Sequence, residues 1–484
     1  MAKQPWEGDL LGRRDEAAQF VKFIESVAAR SLAGKSSYAS YVIAVDGPYG
    51  QGKTYFLKEL ARDLAEQHPV AFIDAWADEV FDDPFIALAS NLKSALAEHL
   101  TSQVAQKRWT DFKEKAGKVA KLTTYGLFKR GATVFLTGGV VDQVEDVFSS
   151  ELKDLKSGAS DAAKDFSKSS FKDIEEGLSS VSHSHLLEQG MKAFDERKSA
   201  VESMKNSLRG IIDVLPGTSS SPPIVIIIDE LDRCKPLYAV RMLEEVKHLF
   251  DVEGVIFIFG MHGEQLRHSV SALYGTSFDS QSYLRRFFHR RFRLAEADLR
   301  PLVESLIKQS GVELSKLQSV RVTNEARTIT EVSSPELIAR YMKMFGLGAR
   351  DAFEVVDRLT ICASLVELPV VLRLILPMIC NDIKGKDYFN VEGMGADDHL
   401  RIAFHDKDGR LKEKDAVADF RSFAEAIQSG IDAVIRAAQQ EFLSEGARLM
   451  IFERSSSPNQ FDRLQNYPAL LQTVSKFRYG QDTE

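Results

Sequence analysis

The sequence feature that most constrains the fold is a short apolar run followed by a glycine-containing loop and a helix. Residues 41–45 are the apolar run typical of a buried strand, residues 47–54 follow Gly-x-x-x-x-Gly-Lys-Thr, and residues 55–66 have helical apolar spacing. Glycines let backbone N–H groups approach phosphate oxygens, and the helix N-terminus adds partial positive charge. The order of these segments predicts a phosphate-binding loop, the Walker A motif. Its candidate nucleotide-binding residues are Gly47, Pro48, Tyr49, Gly50, Gln51, Gly52, Lys53, Thr54 and Tyr55.

Two of these residues also have predicted chemical roles. Lys53 would contact the β- and γ-phosphates and assist catalysis, and the Thr54 hydroxyl would hold Mg²⁺.

Composition places the chain among soluble globular proteins. It has 484 residues, of which 44% are hydrophobic and 27% charged, enough for about two to four domains. The net charge of −8 argues against a generally basic surface that coats nucleic acid. The three cysteines, Cys234, Cys362 and Cys380, are far apart and form no metal-ligand spacing. No apolar run reaches the roughly 18 residues of a membrane helix and no secretory signal is visible, so we expect a cytoplasmic protein.

A second motif follows the five β-branched residues at 224–228, a run typical of a strand buried on both faces of a parallel sheet. Asp229 and Glu230 come directly after it, which is the Walker B pattern. In this pattern Asp229 would hold Mg²⁺, and Glu230 would orient and deprotonate the attacking water. Residues 70–76 and 254–259 indicate two further buried strands. The sequence therefore predicts an α/β fold, a three-layer P-loop NTPase core with a mostly parallel sheet.

Trp76 and His262 stand at or just beyond the ends of these two further strands. Trp76 ends the 70–76 run and is expected to pack in the core, because a large indole usually serves packing. His262 lies just beyond the 254–259 strand and is either a sensor of the γ-phosphate or a loop residue that caps the next helix.

Between the two motifs lies a long helical insertion. No proline occurs from residue 85 to 215, and apolar residues recur at three- and four-residue spacing. Lys129 and Arg130 interrupt an apolar stretch at 122–141, so neither half can span a bilayer as a helix. We expect a soluble helical hairpin packed on a neighbour; the alternative is a re-entrant or surface-lying hairpin with the two cations near anionic headgroups. Residues 157–180 are expected to form a flexible or exposed arm, and the nearby pair His183 and His185 lacks the partners of a metal site.

The segment 283–294 combines arginines with aromatic residues. Its alternation predicts an edge strand after a helix end that carries Arg285 and Arg286. These arginines could act as arginine fingers in a neighbouring subunit's nucleotide site, form structural ion pairs, or contact nucleic acid. All three interpretations remain open.

The C-terminal part of the chain is predicted to be mostly helical. Residues 299–385 would form a helical lid, in which Pro377 kinks or splits the last helix. Arg350, at a helix start, is either a nucleotide-contacting residue or a solvated charge. At the other end of the chain, residues 9–16 are either a segment near the adenine or simply a charged helix cap.

Five regions follow from these patterns. The first part of the core occupies residues 1–100, the insertion 101–215, the second part of the core 216–298, the lid 299–385 and a C-terminal helical region 386–484.

Several of these segments together resemble the KAP family of P-loop NTPases, within the wider AAA/STAND-like group. The resemblance rests on residues 47–54, 72–76, 228–234, 263–266 and 283–287, and Asp-Glu-Leu-Asp-Arg-Cys at 229–234 is its most specific part. Many family members carry membrane spans in the insertion, whereas this chain has only the interrupted stretch at 122–141. His262 stands where the family usually has an acidic residue. Bacterial members are similar to ATPase components of anti-phage defence systems, which implies such a setting here.

The sequence and the resemblance together predict Mg²⁺-dependent ATP binding and hydrolysis that drives a conformational switch. The switch would control an effector protein or operate within a homo-oligomer. The absence of a guanine-recognition signature favours ATP over GTP. Two alternatives remain: an ATP-binding scaffold without significant turnover, and an ATPase stimulated by nucleic acid.

Overall fold

The computed structural model divides into two compact units. It describes residues 5–32, 38–136, 183–215, 223–318, 320–323, 329–367, 369–392, 400–405, 411–429 and 466–476. The first unit, here called the loop–lid unit, comprises Met1–Phe20, Asp46–Glu59 and Arg293–Glu484. The second, the sheet unit, comprises Val21–Val45 and Leu60–Phe292. The predicted arm at 157–180 and part of the apolar stretch at 122–141 lie outside the described residues.

A five-stranded sheet forms the centre of the sheet unit. Its strands are β1 (Tyr41–Asp46), β2 (Val70–Asp74), β3 (Ile224–Asp229), β4 (Val255–Met261) and β5 (Arg290–Arg293). Their order is β2-β3-β4-β1-β5, with β2, β3 and β4 parallel. Every residue of β3 and β4 is buried, as expected of strands covered on both faces. The α/β class and the edge position of β5 were both predicted correctly from the sequence.

Nine helices belong wholly or partly to this unit in the part of the chain that the structure describes. They are α1 (Arg13–Leu32), α2 (Lys53–Ala65), α3 (Ala75–Asp78), α4 (Pro84–Leu96), α5 (Gln103–Leu136), α6 (His183–Ile212), α7 (Pro236–Leu249), α8 (Gly263–Tyr274) and α9 (Ser280–Arg285).

The end of β2 differs from the prediction. The strand stops at Asp74, whose side chain accepts a hydrogen bond of 3.0 Å from the N–H of Ala77 and so caps α3. Trp76 therefore lies on a short helix and is 52% exposed, so the expectation that it packs in the core was wrong. The strand was predicted to reach residue 76, but it ends two residues earlier because Asp74 caps the helix that follows.

The helical insertion is confirmed for the described residues. Helices α5 and α6 pack together through buried side chains that include Trp109 and Leu208. Asp111 accepts hydrogen bonds from Lys115 at 2.8 Å and from Ser207 at 2.6 Å, which ties the two helices across their polar edge. Helix α5 continues through Lys129 and Arg130 to Leu136, so the two cations interrupt the apolar pattern but not the helix. Among the described residues, no helix has the length and apolar character needed to cross a membrane.

The loop–lid unit contains the predicted lid helices and short strands that the sequence did not reveal. Its helices are α10 (Arg300–Ser310), α11 (Ser334–Met344), α12 (Ala349–Leu365), α13 (Leu372–Ile383), α14 (Ala416–Ser429) and α15 (Tyr467–Val474). Its strands are β6 (Leu317–Gln318), β7 (Val320–Thr323), β8 (Ile329–Val332), β9 (Val370–Val371), β10 (Arg401–His405) and β11 (Leu411–Asp415). Strands β6 and β9 pair in parallel, and the other four form an antiparallel sheet in the order β11-β10-β7-β8.

One hydrophobic core holds the loop–lid unit together. Helix α13 is buried along most of its length and continues through Pro377 without splitting. The Tyr467 hydroxyl accepts a hydrogen bond of 2.9 Å from the N–H of Val371, so α15 packs in the same core as the lid helices.

Candidate functional site

The phosphate loop connects β1 to α2, as its sequence pattern predicts. Gly50 and Gly52 have φ angles of +80° and +82°, a region in which an L side chain is strained, so glycine is required at both positions. The Lys53 ammonium donates hydrogen bonds to the carbonyls of Gly47 at 2.6 Å and Pro48 at 3.0 Å. It also lies 5.4 Å from the centre of the Tyr49 ring. The Lys53 side chain is thus held against the phosphate loop by contacts within that loop.

The N-terminal segment packs directly on this loop. A Cβ added at Gly52 would lie 2.8 Å from Leu11 Cδ1. The Asp9 carboxylate accepts hydrogen bonds from the N–H groups of Leu11 at 3.2 Å and Arg14 at 2.8 Å, which fixes the turn before α1. Trp6 contacts the Tyr55 ring edge-on, with centroids 6.0 Å apart. Residues 9–16 therefore do more than cap helix α1, because they also pack against the phosphate loop.

Sequence reasoning missed the most buried charge of this region, Arg13. Its side chain is 1% exposed, and its guanidinium donates to the carbonyls of Gln51 and Ala295, at 2.8 Å in both cases. It also pairs with the Glu16 carboxylate at 2.5 Å. The sequence signals only that an arginine stands at the start of a helix just upstream of the loop. The two carbonyl partners lie 38 and 282 positions further along the chain, too far to be inferred.

The start of α12 also reaches the phosphate loop. The N–H of Ala349 donates a hydrogen bond of 2.9 Å to the Gly50 carbonyl. A Cβ added at Gly50 would lie 3.5 Å from Arg350 Cβ. Asp351 stabilises this helix start by accepting a bond of 2.7 Å from the Gly348 N–H. The structure thus places Arg350, which is exposed, beside the loop.

The two Walker B carboxylates lie at the end of β3 in the sheet unit. Asp229 is 2% exposed, and one of its carboxylate oxygens accepts the N–H of Glu230 at 2.9 Å. Glu230 has a φ of +58°, a left-handed conformation that is uncommon for a residue other than glycine and is often found at functional sites. Burial raises the pKa of the Glu230 carboxyl, and the neighbouring carboxylates of Asp229, Asp74 and Asp232 raise it further. These shifts favour a role in proton transfer.

Arg233 opposes this rise in the pKa of Glu230. Its guanidinium lies 3.1 Å from the Glu230 carboxylate and 5.4 Å from the centre of the Trp76 ring. Trp76 therefore orients the cation that pairs with the candidate base. The sequence predicted neither contact, because the strand containing Trp76 was expected to end differently.

The remaining candidates belong to the sheet unit. His262 is the N-cap residue of α8, as one of its two interpretations predicted: its backbone carbonyl accepts a hydrogen bond of 3.0 Å from the N–H of Leu266, whereas its side chain makes no capping hydrogen bond. Arg285 and Arg286 are exposed at the end of α9, as predicted. Within the described part of the chain neither forms a direct ion pair, but hydrogen bonds from Ser282 and, after them, the charge of Arg285 lower the pKa of Asp279. The structural interpretation of Arg285 therefore stays open beside the other two.

Oxygen ligands suited to Mg²⁺ are present in both predicted motifs. Thr54 offers a hydroxyl and Asp229 a buried carboxylate whose neighbours are also acidic. Hard oxygen donors of this kind are those that Mg²⁺ prefers. Each motif by itself therefore offers a donor of the type that the Walker pattern assigns to the ion.

A mostly parallel sheet, a phosphate loop between β1 and α2, and an acidic end to β3 define the class of P-loop NTPases. The family model described as the KAP family P-loop domain matches residues 13–351. The chain belongs to this family, as its motifs predicted.

Other comparisons show distant likeness. Two structures of the Aeropyrum pernix ORC2 protein are similar, each with 12% identity. The alignment with the structure that contains ADPNP and ADP covers 96% of this chain and 86% of the ORC2 chain, with a TM-score of 0.29. The alignment with the ADP form covers 94% of this chain and 84% of the ORC2 chain, with a TM-score of 0.27. No curated protein matches the chain.

Proposed function

We propose that this chain binds and hydrolyses Mg-ATP and that the bound nucleotide sets the conformation of its helical lid. The observation that carries the proposal is the hydrogen bond of 2.9 Å from Ala349, at the start of lid helix α12, to Gly50 of the phosphate loop. A change at the loop is thereby passed directly to the lid. The output would be a protein conformation that controls a partner.

Each motif residue has a role in this proposal. Lys53 binds the β- and γ-phosphates, Thr54 and Asp229 hold Mg²⁺, and Glu230 orients the water and accepts its proton. Mg²⁺ would neutralise charge on the phosphate oxygens when bound. The raised pKa of Glu230 supports its assignment as the base, because a stronger base takes a proton more readily.

Three arginines are candidates for contact with the γ-phosphate. Arg350 lies beside the phosphate loop, which supports a contact within the same chain. Arg285 and Arg286 are exposed, so they suit a contact with the nucleotide of a second subunit, as arginine fingers in a homo-oligomer. An effector protein is the other partner proposed, and anti-phage defence is suggested by family resemblance alone.

ATP turnover by the purified protein tests the proposal. We would compare the wild type with Lys53→Ala and Glu230→Gln, using Glu253→Gln as a control because Glu253 is an exposed carboxylate outside the motifs, just before β4. The expected result is turnover that both motif variants abolish and the control retains. ATP binding should persist in Glu230→Gln and be lost in Lys53→Ala.

The same assay separates the alternatives. Turnover that rises with protein concentration, and falls in Arg285→Ala and Arg286→Ala, would support nucleotide sites shared between subunits. Turnover that rises with single- or double-stranded DNA, with binding that weakens steeply with salt, would favour a nucleic-acid-stimulated ATPase. Tight ATP binding without turnover under any of these conditions would contradict hydrolysis and favour the scaffold.

A further inference from the structure

We propose that Arg13 is a positioning residue that transmits phosphate binding at the loop to the start of the helical lid. This inference rests on the proposed function, because it concerns how nucleotide at that site is sensed. Arg13, the phosphate loop and the lid all belong to the loop–lid unit.

Two consecutive carbonyls of the phosphate loop are held by groups from outside the loop. The Gly50 carbonyl accepts the N–H of Ala349 at 2.9 Å, and the Gln51 carbonyl accepts the Arg13 guanidinium at 2.8 Å. Helix α12, which begins at Ala349, and helix α1, which begins at Arg13, are therefore anchored to adjacent peptides.

Arg13, which binds the Gln51 carbonyl, also binds the segment that precedes the first lid helix. Its guanidinium also donates to the Ala295 carbonyl at 2.8 Å, while the N–H of Ala295 donates to Glu16 at 2.6 Å. The Arg13–Glu16 pair thus holds residue 295 at both of its backbone polar groups. Because α10 begins at Arg300, this grip fixes the chain shortly before the first lid helix.

Peptide geometry explains how phosphate would affect these contacts. In a trans peptide the N–H and C=O groups point in opposite directions. The Gly50 carbonyl shares its peptide with the N–H of Gln51, and the Gln51 carbonyl shares its peptide with the N–H of Gly52. Such N–H groups face the phosphate in a loop of this kind. A hydrogen bond to phosphate polarises the peptide, so each carbonyl accepts more strongly from Ala349 or Arg13.

The burial of Arg13 makes this arrangement specific for arginine. With 1% of the side chain exposed, the guanidinium exchanges little with water and its bonds act in a low dielectric. Its planar fork donates to two carbonyls and a carboxylate at once. A lysine keeps the charge but lacks this fixed geometry, so Arg13→Lys should break the link without removing the cation.

Amide hydrogen exchange with and without saturating MgADP tests the proposal. In the wild type, MgADP should slow exchange about tenfold or more in peptides covering residues 295–310 and 346–353. In Arg13→Lys at saturating MgADP, slowing at 295–310 should fall to about twofold or less, whereas 346–353 stays protected through Ala349. Arg14→Lys is the matched control, because Arg14 is the exposed neighbour, and it should behave like the wild type.

Equal slowing at 295–310 in Arg13→Lys and the wild type would overturn the proposal. Should Arg13→Lys fail to fold, Glu16→Ala provides the same test, since it removes the acceptor of the Ala295 N–H but keeps the arginine. Normal slowing at 295–310 in that variant would likewise overturn it. A wild-type protein that does not bind MgADP would defeat the proposed function itself, which separates the two failures.

Discussion

Replacement of Gly348 by alanine is expected to push the start of α12 away from the phosphate loop. Gly348 has φ −100° and ψ −173°, an extended conformation that alanine adopts without strain. An added Cβ would, however, lie 3.1 Å from the Gly50 carbonyl oxygen and 3.2 Å from its carbon. Both atoms belong to backbone, so no side chain can rotate to relieve the contact.

The size of the effect follows from three contributions. Overpacking costs about 1–3 kcal/mol, and lengthening of the Ala349–Gly50 hydrogen bond loses about 0.5–1.5 kcal/mol. The lower entropy of the unfolded alanine chain offsets about 0.4–1 kcal/mol. We therefore expect the free energy of unfolding to fall by about 2 kcal/mol, within limits of about 0.5 and 4 kcal/mol. MgADP affinity should fall by about 5- to 30-fold, because the displaced peptide belongs to the phosphate-binding loop.

Denaturant unfolding and calorimetric titration with MgADP would measure these two quantities. Gly346→Ala is the control, because Gly346 lies in the same connection at φ +64° and an added Cβ would meet no atom within 4 Å. It should lose about 1–2 kcal/mol of stability through backbone strain while its MgADP affinity stays unchanged. Wild-type affinity in Gly348→Ala, or an equal loss of affinity in both variants, would refute the reasoning.

Three further outcomes are expected. Arg233→Gln removes the cation that lowers the pKa of Glu230, so the acidic limb of the pH–turnover profile should move to higher pH; an unchanged profile would contradict this. Burial raises the pKa of Glu245 from 4.5 to about 8. Between these pH values the folded state binds more protons than the unfolded state, so the free energy of unfolding falls as the pH rises. Glu245→Gln should remove this pH dependence when unfolding is measured at several pH values. Gly117→Ala, in the interior of α5, should raise stability by about 0.5–1 kcal/mol in thermal unfolding, because its Cβ meets nothing within 4 Å; a loss of stability would contradict this reasoning.

Local patterns explain what could be predicted. The phosphate loop was recognised because its glycines, lysine and threonine are adjacent in sequence, and the observed φ angles at Gly50 and Gly52 match that requirement. The apolar runs of β1, β3 and β4 were recognised because strands buried on both faces need no alternation. The edge strand β5 was found from its alternation of aromatic residues and arginines.

Other features depend on residues that the pattern does not connect. Strand β2 ended early because the Asp74 side chain capped the next helix, and this single bond exposed Trp76 to the arginine of the Walker B segment. Strand β10 pairs with β7 across a long stretch of chain, at Ile402 and Val322. Short strands of this kind carry too few residues for a pattern to distinguish them from loops.

The class of protein, the apolar strands of the central sheet and the chemical groups of both motifs could be predicted, because each is encoded within a few consecutive residues. The groups that surround the phosphate loop could not be predicted, because they come together only in the folded chain. Arg13 reaches Gln51 and Ala295 across 38 and 282 positions of the chain, and Ala349 reaches Gly50 from the lid. Such contacts depend on where packing of the hydrophobic core brings distant backbone together, which no local periodicity records.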